Sequence, residues 1–225
     1  MNILITGSSK GIGFYLYKQL KKKNKIFGIS RTLKKTTDFV CDISNKFEVE
    51  KTLSKIRKID VLINNASVTE VSNNTLENFE KTLQINLNGA FYCSHFALPK
   101  LKKSKIKKII NISSINAYVG FPNNPGYVTS KGGLNSLTKS LAVDYGRYGI
   151  KVNSLSLGYI AEGMTKKSFN NLSKRKKRSK NTILNYWGSP KDVLGAINFL
   201  ISKDSDYITG SDIILDGGWL AKGLK

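Results

Sequence analysis

Three side chains in the second half of the chain could together deliver a proton to a carbonyl oxygen. Tyr127 and Lys131 are four residues apart in a segment with a helical pattern, so both project from one helix face. Ser114 lies thirteen residues before Tyr127, just after a strand-like run at residues 108–112. Hydride reduction of a ketone needs a proton for the developing alkoxide, and a nearby ammonium would lower the pKa of a tyrosine donor. Ser114 could hold the carbonyl oxygen, although each residue taken singly also has an ordinary structural explanation.

A glycine-rich turn near the start of the chain could bind a dinucleotide. Residues 6–13 read Thr-Gly-Ser-Ser-Lys-Gly-Ile-Gly and join the first strand-like run to the first helical segment. Glycines permit positive φ and let a pyrophosphate approach a helix N-terminus, where free N–H groups favour an anion. The position at the first strand-to-helix junction indicates such a site. A tight turn without a ligand would have the same composition.

The end of the second strand-like run bears on which dinucleotide is bound. An acidic residue there would hydrogen-bond the ribose 2′-hydroxyl of NAD. Here the residues are Ser30 and Arg31, and Lys10 projects from the glycine turn. Two cations without a carboxylate predict a 2′-phosphate and hence NADP(H), the alternative being surface charges in a lysine-rich protein. Asp42, after the third strand, is a candidate partner of the adenine amino group or an exposed aspartate in a turn.

The elements that must position these residues alternate along the chain. Strands are predicted at residues 2–6, 25–30, 38–41, 60–64, 108–112, 151–156 and 212–215. Helices are predicted from the glycine turn to residue 20 and at 48–56, 76–101, 127–145 and 191–202. Short apolar runs that alternate with amphipathic helices predict an α/β fold, a doubly wound parallel sheet covered on both faces. Without a repeat or linker to divide it, the sequence predicts a single Rossmann-type domain over residues 1–225.

The charge of the chain is unusually positive. The 225 residues carry a formal charge of +22, from 37 basic and 15 acidic side chains, with basic runs at 21–25, 100–108 and 174–180. Lysines number 32 and arginines only 5, which disfavours nucleic acid as a partner because bases and phosphates favour the guanidinium fork. Solvated lysine faces are the simplest interpretation. An anionic partner is the alternative, above all for 174–180, within a long polar stretch at 164–185.

Composition excludes several other classes of protein. Two cysteines are too few for a disulfide framework, and a single histidine leaves no metal-ligand set. No apolar run approaches the roughly 20 residues of a membrane span. Met1 leads directly into a strand-like run, so no signal peptide is expected. We therefore expect a cytoplasmic protein without a metal and without a membrane partner.

In combination, these motifs resemble the short-chain dehydrogenase/reductase family, in its single-domain branch, across residues 3–218. The turn at residues 6–13 resembles the family's T-G-x-x-x-G-x-G, Asn64-Asn65-Ala66 its N-N-A-G, and residues 216–218 its D-G-G. The resemblance implies a catalytic tetrad of Asn86, Ser114, Tyr127 and Lys131, in which Asn86 acts through a bound water and the lysine. The residues then assigned to the cofactor are Gly7, Ser9, Lys10, Gly11, Ile12, Gly13, Ser30, Arg31, Asp42, Asn64, Ala66, Tyr127, Lys131, Gly158 and Ile160.

Three residues depart from the family pattern. Ser67 replaces the glycine of N-N-A-G, and Leu157 replaces the proline that usually precedes Gly158. Glu162 stands where the family commonly has a threonine that contacts the nicotinamide carboxamide. These changes affect how the nicotinamide is anchored rather than the class of reaction.

We therefore expect an NADPH-dependent reductase that converts a ketone to a secondary alcohol. Within the family the resemblance is closest to 3-oxoacyl-acyl-carrier-protein reductases, whose carrier is acidic, and it implies a homodimer or homotetramer with a substrate lid around residues 162–190. A dehydrogenase or reductase of a sugar or other small alcohol is the enzymatic alternative. A non-catalytic nucleotide-sensing or nucleic-acid-binding protein on the same fold is the alternative of another class, and the complete tetrad argues against it.

Overall fold

One seven-stranded parallel sheet organises the chain in the computed structural model, which describes residues 1–69 and 75–222. The strands are β1 (Asn2–Thr6), β2 (Lys25–Ser30), β3 (Phe39–Val40), β4 (Val61–Asn64), β5 (Lys108–Ser114), β6 (Lys151–Leu157) and β7 (Asp212–Leu215). The helices are α1 (Gly11–Leu20), α2 (Lys46–Ser54), α3 (Leu76–Leu83), α4 (Gly89–Lys102), α5 (Pro125–Gly146), α6 (Lys166–Asn170), α7 (Leu172–Lys180) and α8 (Pro190–Ile201). The predicted doubly wound α/β fold is confirmed.

The strand order fixes where a ligand can bind. The sheet runs β3-β2-β1-β4-β5-β6-β7, and every neighbouring pair is parallel. The order reverses between β1 and β4, so the connections that leave these two strands diverge. In open sheets of this kind ligands bind in the crevice outside the carboxyl ends of the strands at such a point. The glycine turn follows β1 and therefore opens onto this crevice.

Apolar side chains cover both faces of the sheet. Along β1, Ile3 and Ile5 belong to one buried cluster and Leu4 to the other, as the two-residue period of a strand requires. The first cluster packs under α1 and α8, and the second packs under α2, α4 and α5. Because both faces are buried, the strands read as continuous apolar runs in the sequence.

The segment predicted as one helix over residues 76–101 is interrupted. A π-helical turn, Gln84–Asn88, separates α3 from α4, and the Gly89 N–H bonds to the Gln84 carbonyl five residues earlier. A Cβ at Gly89 would lie 2.8 Å from Cδ1 of Ile43, so the glycine allows the close approach of this turn to the segment before α2. Turns of this type frequently mark functional sites, and this one carries Asn86.

The polar stretch at residues 164–185 contains two short helices. Asn171 begins α7, and its Oδ1 accepts a hydrogen bond of 2.9 Å from the Lys174 N–H. The carboxyl end of α7 is held by Lys222, whose ammonium donates to the carbonyls of Lys180 and Thr182. Of the helices in the described part of the chain, none is long and apolar enough to cross a membrane.

Candidate active site

The glycine turn has the shape that a dinucleotide phosphate site needs. Gly7 and Gly11 have φ of +71° and +59°, in the left-handed region that favours glycine. A Cβ at Gly13 would lie 2.3 Å from the Gly7 carbonyl oxygen, so only glycine fits where α1 approaches the turn. No side chain caps the start of α1 at Lys10, and its first turn carries no acidic residue. The N–H groups at this helix end are thus left for an anion.

The carboxyl ends of β1 and β4 are tied together beside this turn. The Thr6 hydroxyl oxygen accepts hydrogen bonds from the Asn65 and Ala66 N–H groups at 3.1 and 3.0 Å. In return, the Asn65 side-chain amide donates to the carbonyls of Thr6 and Gly7 at 2.9 and 3.2 Å. These bonds fix the floor of the crevice between the two strands.

The Asn64 side chain points away from this floor into the protein interior. Its Nδ2 donates to Asn111 Oδ1 at 2.8 Å and to Ser94 Oγ at 3.1 Å. The side chain is therefore engaged between β4, β5 and α4, and a contact of Asn64 with the cofactor falls to its backbone. Ala66 reaches the crevice through the turn that Thr6 holds.

The predicted 2′-phosphate site combines exposed cations with an engaged serine. Arg31 and Lys10 are exposed, and neither forms an ion pair within residues 1–69 and 75–222. Ser30 is buried, and its hydroxyl donates to the Thr32 carbonyl at 2.7 Å and lies 2.8 Å from Thr37 Oγ1. Ser30 thus shapes the loop, and the two cations are the groups free to meet an anion.

Contacts within the protein hold the side of the crevice that is predicted to bind the adenosine. Thr36 Oγ1 donates to the Ser8 carbonyl at 2.6 Å, which fastens the loop after β2 onto the glycine turn. Asp42 Oδ1 accepts from the N–H and the hydroxyl of Ser44 at 3.0 and 2.8 Å, leaving the other carboxylate oxygen for the predicted adenine contact.

Ser114, Tyr127 and Lys131 come together at the carboxyl end of β5. Ser114 is the last residue of β5, and its side chain hydrogen-bonds to the Tyr127 phenol. The ammonium of Lys131 lies 5.6 Å from the centroid of the Tyr127 ring and donates to the Ile112 carbonyl at 2.8 Å. Tyr127 and Lys131 both lie on α5, one turn apart, as their spacing predicts. The strand and the helix thus place the Ser114 hydroxyl beside the Tyr127 phenol, the pair predicted to bind and protonate a carbonyl oxygen.

Burial dominates the acid–base properties of this pair. It raises the pKa of Tyr127 above its ordinary value, and the hydrogen bond with Ser114 opposes the rise. Burial also lowers the pKa of Lys131 from 10.5 to about 7. In the protein without a bound cofactor, desolvation thus disfavours both charged forms, and the effect of the ammonium on the pKa of Tyr127 stays a prediction.

Asn86 lies in the π-helical turn, and its amide is bound by the protein. Its Oδ1 accepts from the Val68 N–H at 2.8 Å, and its Nδ2 donates to the Val68 carbonyl at 2.9 Å and to Ser130 Oγ at 3.0 Å. Both N–H groups are thus engaged, so holding the predicted water falls to the oxygen atoms of Asn86. Asn86 is thus hydrogen-bonded to Ser130, which precedes Lys131 in α5.

The end of the crevice that is predicted to hold the nicotinamide is formed by the chain after β6. A Cβ at Gly158 would lie 2.7 Å from Cα of Asp216, which explains the glycine, and Ile160 forms an isolated bridge with Gly188. Glu162 accepts from the Gly163 N–H at 3.1 Å and pairs with Lys166 at 3.3 Å, so its carboxylate is used by its own turn. Gly163 in turn packs against Gly11, which brings the start of the polar stretch over the glycine turn.

An aromatic cluster beneath α7 anchors the basic helix. The Trp187 ring centroid lies 5.0 Å from that of Tyr159 and 5.5 Å from that of Phe169. The guanidinium carbon of Arg178 lies 4.8 Å from the ring centroid of Tyr159, and that of Arg175 lies 5.1 Å from the ring centroid of Phe169. A cavity of about 510 Å³ opens between this cluster and α7. Trp187 is buried, and its indole N–H donates to the Arg175 carbonyl at 3.2 Å, so it packs beneath α7 and supports that helix.

Sequence reasoning missed how the hydroxyl groups of two residues organise the site. Thr6 joins the two central strands, and Ser130 connects Asn86 to α5. Each stands next to a residue that was identified, Gly7 and Lys131 respectively. That proximity was the only available signal, because the partners of their hydroxyl groups are about 60 and 44 positions away along the chain.

Comparison with known proteins identifies the family. A sequence model described as enoyl-(acyl carrier protein) reductase matches residues 9–220. The chain is 35% identical to 3-oxoacyl-[acyl-carrier-protein] reductase of Rickettsia felis, over 96% of this chain and 95% of that protein. It is 30% identical to L-rhamnose 1-dehydrogenase (NADP(+)) of Thermoplasma acidophilum, over 97% and 96%. The ligand-free structure of Thermoplasma acidophilum aldohexose dehydrogenase superimposes with a TM-score of 0.92 at 27% identity, covering 100% of this chain and 95% of that one.

The residues matched by the family model include the tetrad and the basic helix. The non-catalytic alternative is set aside, because the matched relatives are named reductases and dehydrogenases. The chain belongs to the short-chain dehydrogenase/reductase family, and it is an oxidoreductase that acts on alcohol and ketone groups with a nicotinamide cofactor.

Proposed function

We propose that the protein is an NADPH-dependent reductase that converts the ketone of a 3-oxoacyl thioester, borne by an acidic carrier protein, to a secondary alcohol. The observation that carries this choice of substrate is the basic helix α7 beside the crevice. The similarity to a 3-oxoacyl-[acyl-carrier-protein] reductase over almost the whole of both chains supports it.

The residues of the tetrad have distinct tasks in this reaction. When bound, NADPH would provide the hydride for the carbonyl carbon. Ser114 donates a hydrogen bond to the carbonyl oxygen, and Tyr127 transfers its phenolic proton to that oxygen as negative charge develops. Lys131 then supports the phenolate, and the oxygen atoms of Asn86 hold the water through which the proton is replaced. Burial raises the pKa of Tyr127, so in the cofactor-free protein the phenol keeps its proton at neutral pH.

The fit of the cofactor to this chain rests on the glycine turn and on two cations. Gly7, Ser9, Gly11, Ile12 and Gly13 would surround the pyrophosphate at the uncapped start of α1. Lys10 and Arg31 are exposed without a carboxylate partner in the described part of the chain, which suits a 2′-phosphate. The NADP(+) in the name of the rhamnose dehydrogenase is in accord with this choice.

The charge of the segment beside the crevice suits an acidic carrier. No acidic residue occurs between Glu162 and Asp192. Within α7 the cations divide in two groups, because Arg175 and Arg178 are half-buried on the aromatic cluster while the lysines are exposed. These exposed lysines are Lys174, Lys176, Lys177 and Lys180. The arginines therefore hold the helix in place, and the lysines present a fixed cationic surface.

The test is NADPH oxidation with the same 3-oxoacyl group on an acidic carrier protein and on a small neutral thiol. We expect turnover of both, a KM for the carrier form that rises with salt, and a higher KM for that form alone in Lys176→Glu. Lys103→Glu is the matched control, since Lys103 is exposed at the end of α4, towards the opposite edge of the sheet. Tyr127→Phe should lower kcat by about 10²–10⁴-fold without weakening NADPH binding. If NADPH is oxidised with neither of the two thioesters, the proposed substrate is excluded.

A sugar or small-alcohol dehydrogenase is the second candidate. It is favoured by the 30% identity to a rhamnose dehydrogenase and by the TM-score of 0.92 to an aldohexose dehydrogenase. A panel of aldoses assayed with NADP⁺ decides between the two. Reduction of NADP⁺ by an aldose, together with no activity on the thioesters, would replace the first candidate by the second.

We propose a homodimer or homotetramer as the assembled form. Apolar side chains are exposed on β7 and α8, at Ile214 and Phe199, and Tyr207 beyond α8 is fully exposed. Light scattering should give two or four times the chain mass of 25.0 kDa. A mass of one chain at micromolar concentration would exclude this assembly.

A further inference from the structure

One carboxylate at the start of β7 joins the elements that carry the catalytic residues. Asp212 Oδ2 accepts hydrogen bonds from the Tyr118 phenol, from Asn135 Nδ2 at 3.1 Å and from Ser156 Oγ at 2.6 Å. Asp212 Oδ1 accepts from Ser154 Oγ at 2.7 Å. Four donors thus converge on one carboxylate, and charge-assisted bonds of this kind are stronger than neutral ones.

Two of these donors belong to the elements that carry the tetrad. Tyr118 ends the short 3₁₀ turn Ile115–Ala117, which follows Ser114 directly and is N-capped by it. Asn135 lies on α5 one turn beyond Lys131 and two turns beyond Tyr127, so all three share a helix face. Asp212 therefore connects the turn behind Ser114 to the helix that holds the proton donor.

The other two donors fix Asp212 itself. Ser154 and Ser156 project from β6, whose residue Ser154 pairs directly with Asp212 in the sheet. The carboxylate is half-buried, and burial together with its hydrogen bond raises the pKa of Tyr118 to about 12. The phenol thus remains a donor throughout the range in which the enzyme would operate.

From this geometry we infer that Asp212 is a positioning residue for the reaction, which sets the distance between Ser114 and Tyr127 through Tyr118 and Asn135. The inference rests on carbonyl chemistry at Ser114 and Tyr127 and is independent of the acyl substrate. A misplacement of about 1 Å between reacting groups can cost about 10²-fold in rate. The crevice for the cofactor lies between β1 and β4, away from this cluster.

Kinetics of Asp212→Asn test the inference with whichever carbonyl or alcohol substrate the parent turns over. We expect kcat to fall by about 10-fold while the Kd for NADPH and the KM of the substrate stay within about two-fold. Tyr118→Phe removes one donor from a half-exposed side chain and should lower kcat by about 3-fold. The double variant should be no slower than Asp212→Asn alone, because both changes break one connection.

Ser154→Ala is the control, since it removes only the bond to Asp212 Oδ1 and keeps all three donors to Oδ2, with Ser156 still holding the carboxylate on β6. It should leave kcat unchanged. A readout that needs no turnover is amide hydrogen exchange of the turn at residues 115–118, which should quicken in Asp212→Asn and Tyr118→Phe but not in Ser154→Ala. Unchanged kcat in Tyr118→Phe and Asp212→Asn, with only a lower melting temperature, would reduce Asp212 to a structural role and overturn the inference. The inference would also be overturned if the fold-losses of kcat in Asp212→Asn and Tyr118→Phe multiplied in the double variant.

Discussion

Arg31 is the residue at which the predicted cofactor preference can be tested quantitatively. It is exposed after β2, and no carboxylate neutralises it within the described residues. A hydrogen bond to a charged group contributes about 1.5–3 kcal/mol, and an exposed position places Arg31 at the low end of that range. Since about 1.4 kcal/mol corresponds to tenfold in Kd, Arg31→Ala should weaken NADPH binding by about 10-fold and leave NADH binding nearly unchanged.

The assay is a fluorescence titration of the parent and the variant with NADPH and with NADH, at two salt concentrations. The preference of the parent for NADPH should shrink at high salt, because the contact is exposed and therefore screened. Lys10→Ala should give a similar loss, and the two losses should add if each cation meets a different phosphate oxygen.

Arg57→Ala is the matched control for this experiment. It removes the same charge from an exposed arginine that precedes β4, at the opposite edge of the sheet from the glycine turn. If the preference arises from the net charge of +22, Arg57→Ala will weaken NADPH binding as much as Arg31→Ala does. That outcome, or equal affinity of the parent for NADPH and NADH, would refute the reasoning.

Three further predictions concern stability. Burial lowers the pKa of Lys131 from 10.5 to about 7, so between pH 7 and 10.5 the unfolded chain binds one proton more than the folded chain. The free energy of unfolding of the cofactor-free protein, measured in urea, should therefore rise with pH in that window. We expect a rise of about 1.4 kcal/mol per pH unit relative to Lys131→Met. Gly13→Ala should destabilise the fold by about 1–3 kcal/mol, since its Cβ would lie 2.3 Å from a carbonyl oxygen. Gly195→Ala in α8, with open space around it, should instead stabilise the fold by about 0.5–1 kcal/mol. Equal effects of the two substitutions would contradict this. Thr6→Val leaves two N–H groups unpaired and should cost about 2–4 kcal/mol, while Thr6→Ser, which keeps the acceptor, should cost less than half as much.

The sheet and the glycine turn could be predicted because their signals are local. The predicted strands at residues 25–30 and 212–215 coincide with β2 and β7. A parallel strand buried on both faces gives a continuous apolar run, which needs no knowledge of its neighbours. The spacing of Tyr127 and Lys131 likewise fixes their shared helix face.

The hydrogen-bond partners that hold the site could not be predicted in the same way. Asp212 and Tyr118 are 94 positions apart, and Thr6 and Asn65 are 59 apart. Only the strand order brings these residues together. The helix α7 was missed for a different reason, since it buries no residue and therefore has no apolar period to read.

The protonation of the tyrosine depended on a quantity that the sequence does not contain. Charge can be counted from the residues, and it favoured a lowered pKa for Tyr127. The degree of burial emerges only from the packing of α5 against β5, and there it raises the pKa of Tyr127. The charged form of the lysine is disfavoured by the same packing.

The π-helical turn at Gln84–Asn88 fixes how far α4 is rotated about its axis relative to α3. Each residue turns an α-helix by about 100°. Loss of one residue between α3 and α4 would therefore swing Cys93, Ala97 and Leu101 away from the sheet that they now cover. An insertion or deletion in this segment would therefore rotate α4 relative to α3. Surface loops tolerate such changes of length, but here the change would disrupt the packing behind Asn86.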